Sequence, residues 1–174
     1  DNQFGPVRAA AQALHELVQN LGLVPFVMTT GSRGLHLVSP LDRSADFDTV
    51  RAFAKDLADL LAARQPDAFT TEMRKADRGE RLFLDYLRNS YGQSGVAPYA
   101  VRAKPGAPIA TPIDWEELSD SDLHSQSYTI ENIFRRLGQK RDPWHDIMRH
   151  ARSLREPRRR LDDLQKASEE KGSS

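Results

Sequence analysis

The sequence contains no cysteine. That excludes disulfides, thiolate zinc sites and cysteine nucleophiles, and it suits a reducing compartment. There is no excess of charge either: 25 basic and 25 acidic residues give a formal net charge of zero. Proteins that coat nucleic acid without selectivity are usually basic overall, so the balance argues against that class and still allows a local basic groove. No apolar run is long enough to span a bilayer and no secretory leader is visible, so no membrane partner is expected. No internal repeat is present. The first residue is Asp1 rather than Met, as in a fragment or a processed chain. What remains is 174 residues, 39% hydrophobic and 29% charged, enough for one domain with a real core.

Helices and strands alternate along the chain. Val7, Leu14, Leu17, Val18 and Leu21 recur at helical spacing after Pro6, and Gly22 is a natural stop. Val24 to Thr30 reads as a buried strand, Gly31 to Gly34 as a tight turn, and Leu35 to Val38 as a second strand. Asp46 or Asp48 can cap a helix whose apolar stripe is Val50, Phe53, Ala54, Leu57, Leu60 and Leu61, broken at Gln65-Pro66-Asp67. Ala68 to Thr71 suits an edge strand, Leu82 to Leu87 a central strand, and Ala97 to Ala103 a further strand. Lys104 to Thr111, rich in Pro and Gly, reads as an extended loop. Short helices are expected at Asp114–Leu118, Thr129–Leu137 and Trp144–Leu154. Residues 155–174 read as a solvated helix or a disordered linker. The fold class is therefore α+β or α/β with a mixed sheet.

Three places carry residues suited to chemistry. In Thr29-Thr30-Gly31-Ser32-Arg33-Gly34-Leu35-His36 the glycines permit a tight turn close to a ligand. Its hydroxyls, turn amides, Arg33 and His36 can all donate to phosphate oxygens. An ordinary hairpin turn with an exposed arginine gives the same pattern. Strand alternation sets His36 opposite Leu35. In Phe83-Leu84-Asp85-Tyr86-Leu87-Arg88-Asn89, a carboxylate inside a strand needs a partner. That partner is a neighbouring cation or a hard divalent metal. Arg102 projects from Tyr99-Ala100-Val101-Arg102-Ala103, either towards an anion or into solvent. The basic run Arg74, Lys75, Arg78 and Arg81 is interleaved with Glu72, Asp77 and Glu80; it suits a solvated loop or a contact to DNA phosphates.

Together these stretches resemble one family. Thr30-Gly31-Ser32-Arg33-Gly34-Leu35-His36 is similar to the Ser-Gly-x-x-Gly-x-His motif of archaeo-eukaryotic primases, with Thr30 in the serine's place. Thr71 to Lys75 running into Phe83 to Asn89, then Ala97 to Pro108 and Asp142-Pro143-Trp144, resemble the polymerase domain of bacterial DNA ligase D. The likeness runs in order from Pro6 to Trp144.

The resemblance implies an α+β primase-polymerase core, with a mixed or antiparallel central sheet flanked by helices, incomplete here. Residues 1–145 would be the C-terminal part of that domain, and residues 146–174 a charged helical or disordered tail. It implies template-dependent nucleotidyl transfer, filling gaps at DNA ends with NTP or dNTP in bacterial non-homologous end joining. Thr30, Ser32, Arg33, Gly34, His36, Arg88 and Arg102 would bind nucleotide. Asp85 would be catalytic as a ligand of Mn2+ or Mg2+, and Arg74, Lys75 and Arg78 would contact DNA. Thr30, Arg33 and His36 are then expected beside Asp85, Arg88 and Arg102. The implied partners are DNA ends bearing a 5′-phosphate, NTPs, a ligase domain and a Ku-type end-binding protein. The implied location is the bacterial cytoplasm, on the nucleoid during repair.

One departure matters. The family carries an Asp-x-Asp pair on a strand before the helix that starts near Pro6, and no such pair stands there. Two metals need bridging carboxylates, so these residues alone are expected to be inactive. Two other readings stay open: a primase small subunit, and a non-catalytic module that binds nucleotide or DNA ends and scaffolds repair partners.

Overall fold

In a computed structural model that describes residues 4–172, the elements in chain order are α1 (Gly5–Asn20), β1 (Phe26–Thr29), β2 (Leu35–Val38), α2 (Phe47–Arg64), β3 (Phe69–Thr70), β4 (Leu82–Phe83), β5 (Thr111–Ile113), α3 (Ile133–Gln139) and α4 (Arg155–Gly172). Short 3₁₀ turns lie at Lys75–Asp77, Leu87–Asn89, Trp115–Ser119 and Ile147–His150. The class is α+β. The chain divides into two units: residues 4–15 with Val24–Pro40 and Gly95–Ala151, and Glu16–Leu23 with Leu41–Ser94 and residues 152–172.

The first unit is built on a three-stranded antiparallel sheet in the order β2-β1-β5. β1 and β2 form the expected hairpin, with Phe26 opposite Val38 and Thr29 opposite Leu35. Val27, Ile113, Leu118, Leu123 and Ala11 of α1 form the core, and Leu35, Leu37, Trp115 and Tyr128 pack against it. Alternation along β2 therefore gives Leu35 and Leu37 to the core and His36 to the other face.

β5 falls partly inside the stretch that reads as a loop. It pairs with β1 through Thr29–Thr111 and Val27–Ile113. Pro112 is tolerated there because β5 is an edge strand, where a missing N–H breaks no second ladder. The expected strand at Ala97–Ala103 does not form; Val101 makes a single bridge to Ile109. Tyr99 is the reason, because its φ of +63° interrupts extended backbone. The expected helix at Trp144–Leu154 shrinks to one 3₁₀ turn. Trp144 instead packs edge-on to Phe26 and donates its indole N–H to the Val27 carbonyl at 3.1 Å.

An ion cluster sits behind β5. Arg136 of α3 grips the Glu117 carboxylate with both nitrogens, at 2.5 and 2.9 Å, and donates to the Pro112 carbonyl at 3.0 Å. Lys140 reaches Glu117 at 2.9 Å and Asp114 at 2.6 Å, and the Tyr128 hydroxyl donates to Glu117 at 3.0 Å. Burial alone would push the Glu117 carboxyl up. Hydrogen bonds from Arg136 and Lys140 outweigh it and hold the group at about 2. Burial also pushes the Tyr128 hydroxyl up to about 12.

In the second unit Asp46, not Asp48, caps α2 and accepts the Thr49 N–H at 2.8 Å. The helix buries Phe53, Ala58, Leu60 and Leu61. β3 and β4 form a short parallel pair, Phe69 with Leu82 and Thr70 with Phe83. The expected central strand at Leu82–Leu87 thus stops after two residues. The charged segment after Arg152 is helical, one of the two readings given for it, and it is not wholly solvated. α4 buries Leu161 completely, worth about 2 kcal/mol, and Leu154 just before it is buried too. Arg158 reaches Asp56 of α2 at 2.7 Å. Two buried leucines escaped notice because the charges around them hide the stripe.

Candidate functional site: a clamped glycine turn

The turn between β1 and β2 is held by its own hydroxyl. Thr30 Oγ1 donates to the Gly34 carbonyl at 2.9 Å and accepts the amides of Ser32 and Gly34, each at 3.3 Å. The Thr30 N–H closes the loop onto the Gly34 carbonyl at 3.1 Å. A hydroxyl is required here, which explains why Thr serves where the motif has Ser. Thr30 therefore shapes the turn. Ser32 is pinned through its carbonyl, which accepts the Ser125 hydroxyl and the Gln126 amide, both at 2.8 Å. Arg33 is exposed and has no partner among the described residues. His36 stands half-buried on β2, opposite Met28 of β1.

Gly31 meets two demands at once. Its φ is +62°, and a Cβ on it would stand 2.8 Å from Arg102 Cγ and 3.3 Å from the backbone of Ile109 and Ala110. The Arg102 stem lies over the turn, and its guanidinium donates to the Thr30 carbonyl at 3.0 Å. The other guanidinium N–H groups have no acceptor among the described residues and can serve an anion. Gly31→Ala is expected to destabilise the protein by about 2 kcal/mol through backbone strain and to dislodge Arg102. Urea unfolding checks this; a variant as stable as the parent would show that the turn relaxes freely.

Arg102 reaches this position on a hairpin rather than a strand. The Tyr99 N–H bonds the Ala110 carbonyl at 2.6 Å, the Arg102 N–H bonds Pro108 at 2.8 Å, and the Ile109 N–H bonds the Tyr128 carbonyl at 2.7 Å. Burial and the neighbouring Asp142 carboxylate push the Tyr99 hydroxyl well above its ordinary range. Asp142 of the Asp-Pro-Trp stretch also accepts the Trp144 N–H at 2.9 Å.

The second unit holds the remaining candidates. Asp85 is exposed, which overturns the premise that it is a buried strand carboxylate. One oxygen accepts the Leu87 N–H at 3.0 Å; the other lies 3.7 Å from Arg88 Nε, beyond hydrogen-bond reach. Such a carboxylate suits one-oxygen ligation of a hard divalent cation. Among the described residues no cluster of three or more metal-binding side chains occurs. Arg88 spends one N–H on the Ser94 carbonyl at 3.2 Å. Arg74 and Lys75 are exposed. Arg78 differs: its guanidinium lies 3.8 Å from the Phe83 ring centroid and donates to the Glu72 and Met73 carbonyls at 2.8 and 2.9 Å. Those bonds fold the loop and commit two of its five N–H donors.

The structure thus gathers Thr30, Ser32, Arg33, Gly34, His36 and Arg102 around one turn, and places Asp85 beside Arg88. Sequence reading missed Ser125 and Gln126, which carry no motif of their own. It also missed the Glu117–Arg136 pair, for which Asp114 three residues before Glu117 was the available signal: the Asp114 N–H donates to the Glu117 carboxylate at 2.8 Å.

Comparison with known proteins adds a family likeness. Residues 1–144 match the family described as "LigD, primase-polymerase domain". The chain is 38% identical over 139 residues to the multifunctional non-homologous end joining protein LigD of Pseudomonas aeruginosa, covering 79% of this chain and 16% of that protein. It is 29% identical over 142 residues to the bifunctional non-homologous end joining protein LigD of Bacillus subtilis, covering 81% of this chain and 23% of that one. Its structure resembles the polymerase domain from Mycobacterium tuberculosis ligase D in complex with DNA. The TM-score there is 0.79 at 30% identity, covering 86% of this chain and 51% of that one.

Proposed function

The chain belongs to the LigD primase-polymerase domain family, and from that premise we propose that it forms the nucleotide-binding part of a DNA-end polymerase in bacterial non-homologous end joining. The reaction is template-dependent transfer of a nucleotide from NTP or dNTP onto a 3′-hydroxyl, filling gaps before ligation. The observation that carries this reading is the glycine turn with Arg102 folded over Gly31, its spare N–H donors left for an anion.

In this reading the triphosphate lies against the turn. The Gly31 and Arg33 amides and the side chains of Arg33, His36 and Arg102 supply donors, and Thr30 keeps the loop in shape by holding the Ser32 and Gly34 amides. In the second unit, Arg88 is a further cation suited to a nucleotide phosphate. Asp85 offers one oxygen to Mn2+ or Mg2+, which when bound lowers the charge of the triphosphate and steadies the leaving pyrophosphate. Arg74 and Lys75 attract DNA phosphates, including the 5′-phosphate of a broken end; Arg78 contributes by holding their loop. A ligase domain and a Ku-type protein are the partners such a polymerase would work beside.

The test is His36→Ala in the complete polymerase domain, measured as single-turnover extension against nucleotide concentration at saturating DNA. Losing one hydrogen bond to a charged oxygen should raise half-saturation about ten- to a hundredfold. An unchanged half-saturation with weaker DNA binding would make His36 a DNA contact or a structural residue.

A further inference from the structure

The carbonyl of Ser32 is unusual within this turn because two side chains from one distant loop converge on it. Ser125 is buried, 7% exposed, and donates its hydroxyl; Gln126 donates its amide; both distances are 2.8 Å. One such bond would satisfy the carbonyl, so the second goes beyond satisfaction and restrains direction. The peptide bonds of the described residues are trans. In a planar trans peptide the C=O and the following N–H point opposite ways. Fixing the Ser32 carbonyl towards Ser125 and Gln126 therefore fixes the Arg33 N–H away from them. That N–H has no acceptor among the described residues. The same logic repeats two peptides earlier, where Arg102 holds the Thr30 carbonyl and thereby aims the Gly31 N–H.

We propose that Ser125 and Gln126 are positioning residues that hold the Arg33 amide as a preset donor to a phosphate oxygen of the incoming nucleotide. This rests on the reading of the turn as the triphosphate site. A preset amide binds an oxyanion without reorganising, as donors fixed before charge arrives do elsewhere. Because the donor is backbone, no side chain at position 33 is needed for it.

The experiment is nucleotide titration of single-turnover extension at saturating DNA in the complete domain, with Mn2+, using Ser125→Ala/Gln126→Leu, Gln126→Leu and Gln126→Glu. The double variant should raise half-saturation about tenfold with DNA affinity unchanged, and Gln126→Leu should do less because Ser125 still holds the carbonyl. Gln126→Glu, which sets a carboxylate against the Ser32 carbonyl, should exceed Gln126→Leu. The double variant's defect should persist in an Arg33→Ala background, where the amide remains. Equal half-saturation in all variants and the parent, with only thermal stability reduced, overturns the proposal. So does a defect that vanishes with Arg33→Ala, since the guanidinium would then be the positioned group. Arg102→Ala separates the two levels: if it also leaves half-saturation unchanged, the turn is not the triphosphate site at all. If the double variant fails to fold, the Gln126 pair decides, because Leu and Glu effects of equal size contradict a role in orientation.

Discussion

Asp85→Ala in the complete polymerase domain is expected to lower nucleotide addition by roughly a thousandfold or more, the several kcal/mol that metal-held charge supplies. DNA-end binding should stay largely intact, because phosphate contacts carry that affinity and Asp85 repels phosphate if it does anything to it. Folding should also survive. Asp85 is exposed, its only hydrogen bond among the described residues is from the Leu87 N–H, and it pairs with an exposed Arg88, an ion pair worth under about 1 kcal/mol. The three quantities therefore separate cleanly in one variant. Primer extension, gel shift and thermal melting on the same preparation decide it. Retained extension, or equal loss of extension and DNA binding, counts against Asp85 as a metal ligand.

Glu117→Ala carries the largest expected cost in stability. The Arg136 and Glu117 side chains are only 11% and 19% exposed, so removing the carboxylate strands a guanidinium out of water. Breaking one side of such a pair costs about 3–5 kcal/mol. The same pair makes the fold acid-sensitive. The Glu117 carboxyl is held at about 2 in the folded protein against 4.5 ordinarily, a lowered value. Its stabilisation is therefore full above the ordinary value and is lost as pH falls towards the folded one. The loss amounts to about 3 kcal/mol. Urea midpoints measured from about pH 6 down to about pH 3 should fall in the parent, and less steeply in Glu117→Gln, which has no carboxyl to titrate there. Parallel slopes would show that other carboxylates set the acid limb. The consequence reaches the site, since Arg136 holds the Pro112 carbonyl and Tyr128 holds Ile109, both on the segment that follows Arg102.

Much of the frame was legible because it is local. The stripe of α1 and its stop at Gly22, the hairpin of β1 and β2, and the Asp46 cap all follow from spacing and turn chemistry over a few residues. The failures are long-range. Thr111–Ile113 becomes a strand only because β1 offers an edge, and no local signal in a Pro-rich stretch announces that. Tyr99 adopts a left-handed conformation for a bulky residue, a tertiary override that cut short the expected strand at Ala97–Ala103. Asp85 was placed in a strand because Phe83, Leu84, Tyr86 and Leu87 surround it. The backbone leaves the sheet at Phe83, and Leu84 and Tyr86 are buried while Asp85 turns outward. In the glycine turn the residue types marked residues that the structure gathers around one turn, but the division of labour did not show. Thr30 holds the loop, Gly31 makes room for Arg102, and Ser32 is gripped from residues far along the chain.

Whether the turn at residues 30–36 holds the triphosphate can be measured at equilibrium, without relying on turnover. A non-hydrolysable nucleoside triphosphate is titrated with Mn2+ onto the DNA-bound complete domain, parent against Arg102→Ala. The predicted result is nucleotide affinity weakened about tenfold or more, the worth of a hydrogen bond to a charged oxygen, with DNA affinity unchanged. Unchanged nucleotide affinity alongside weakened DNA binding would contradict it and make Arg102 and its glycine turn part of the DNA surface.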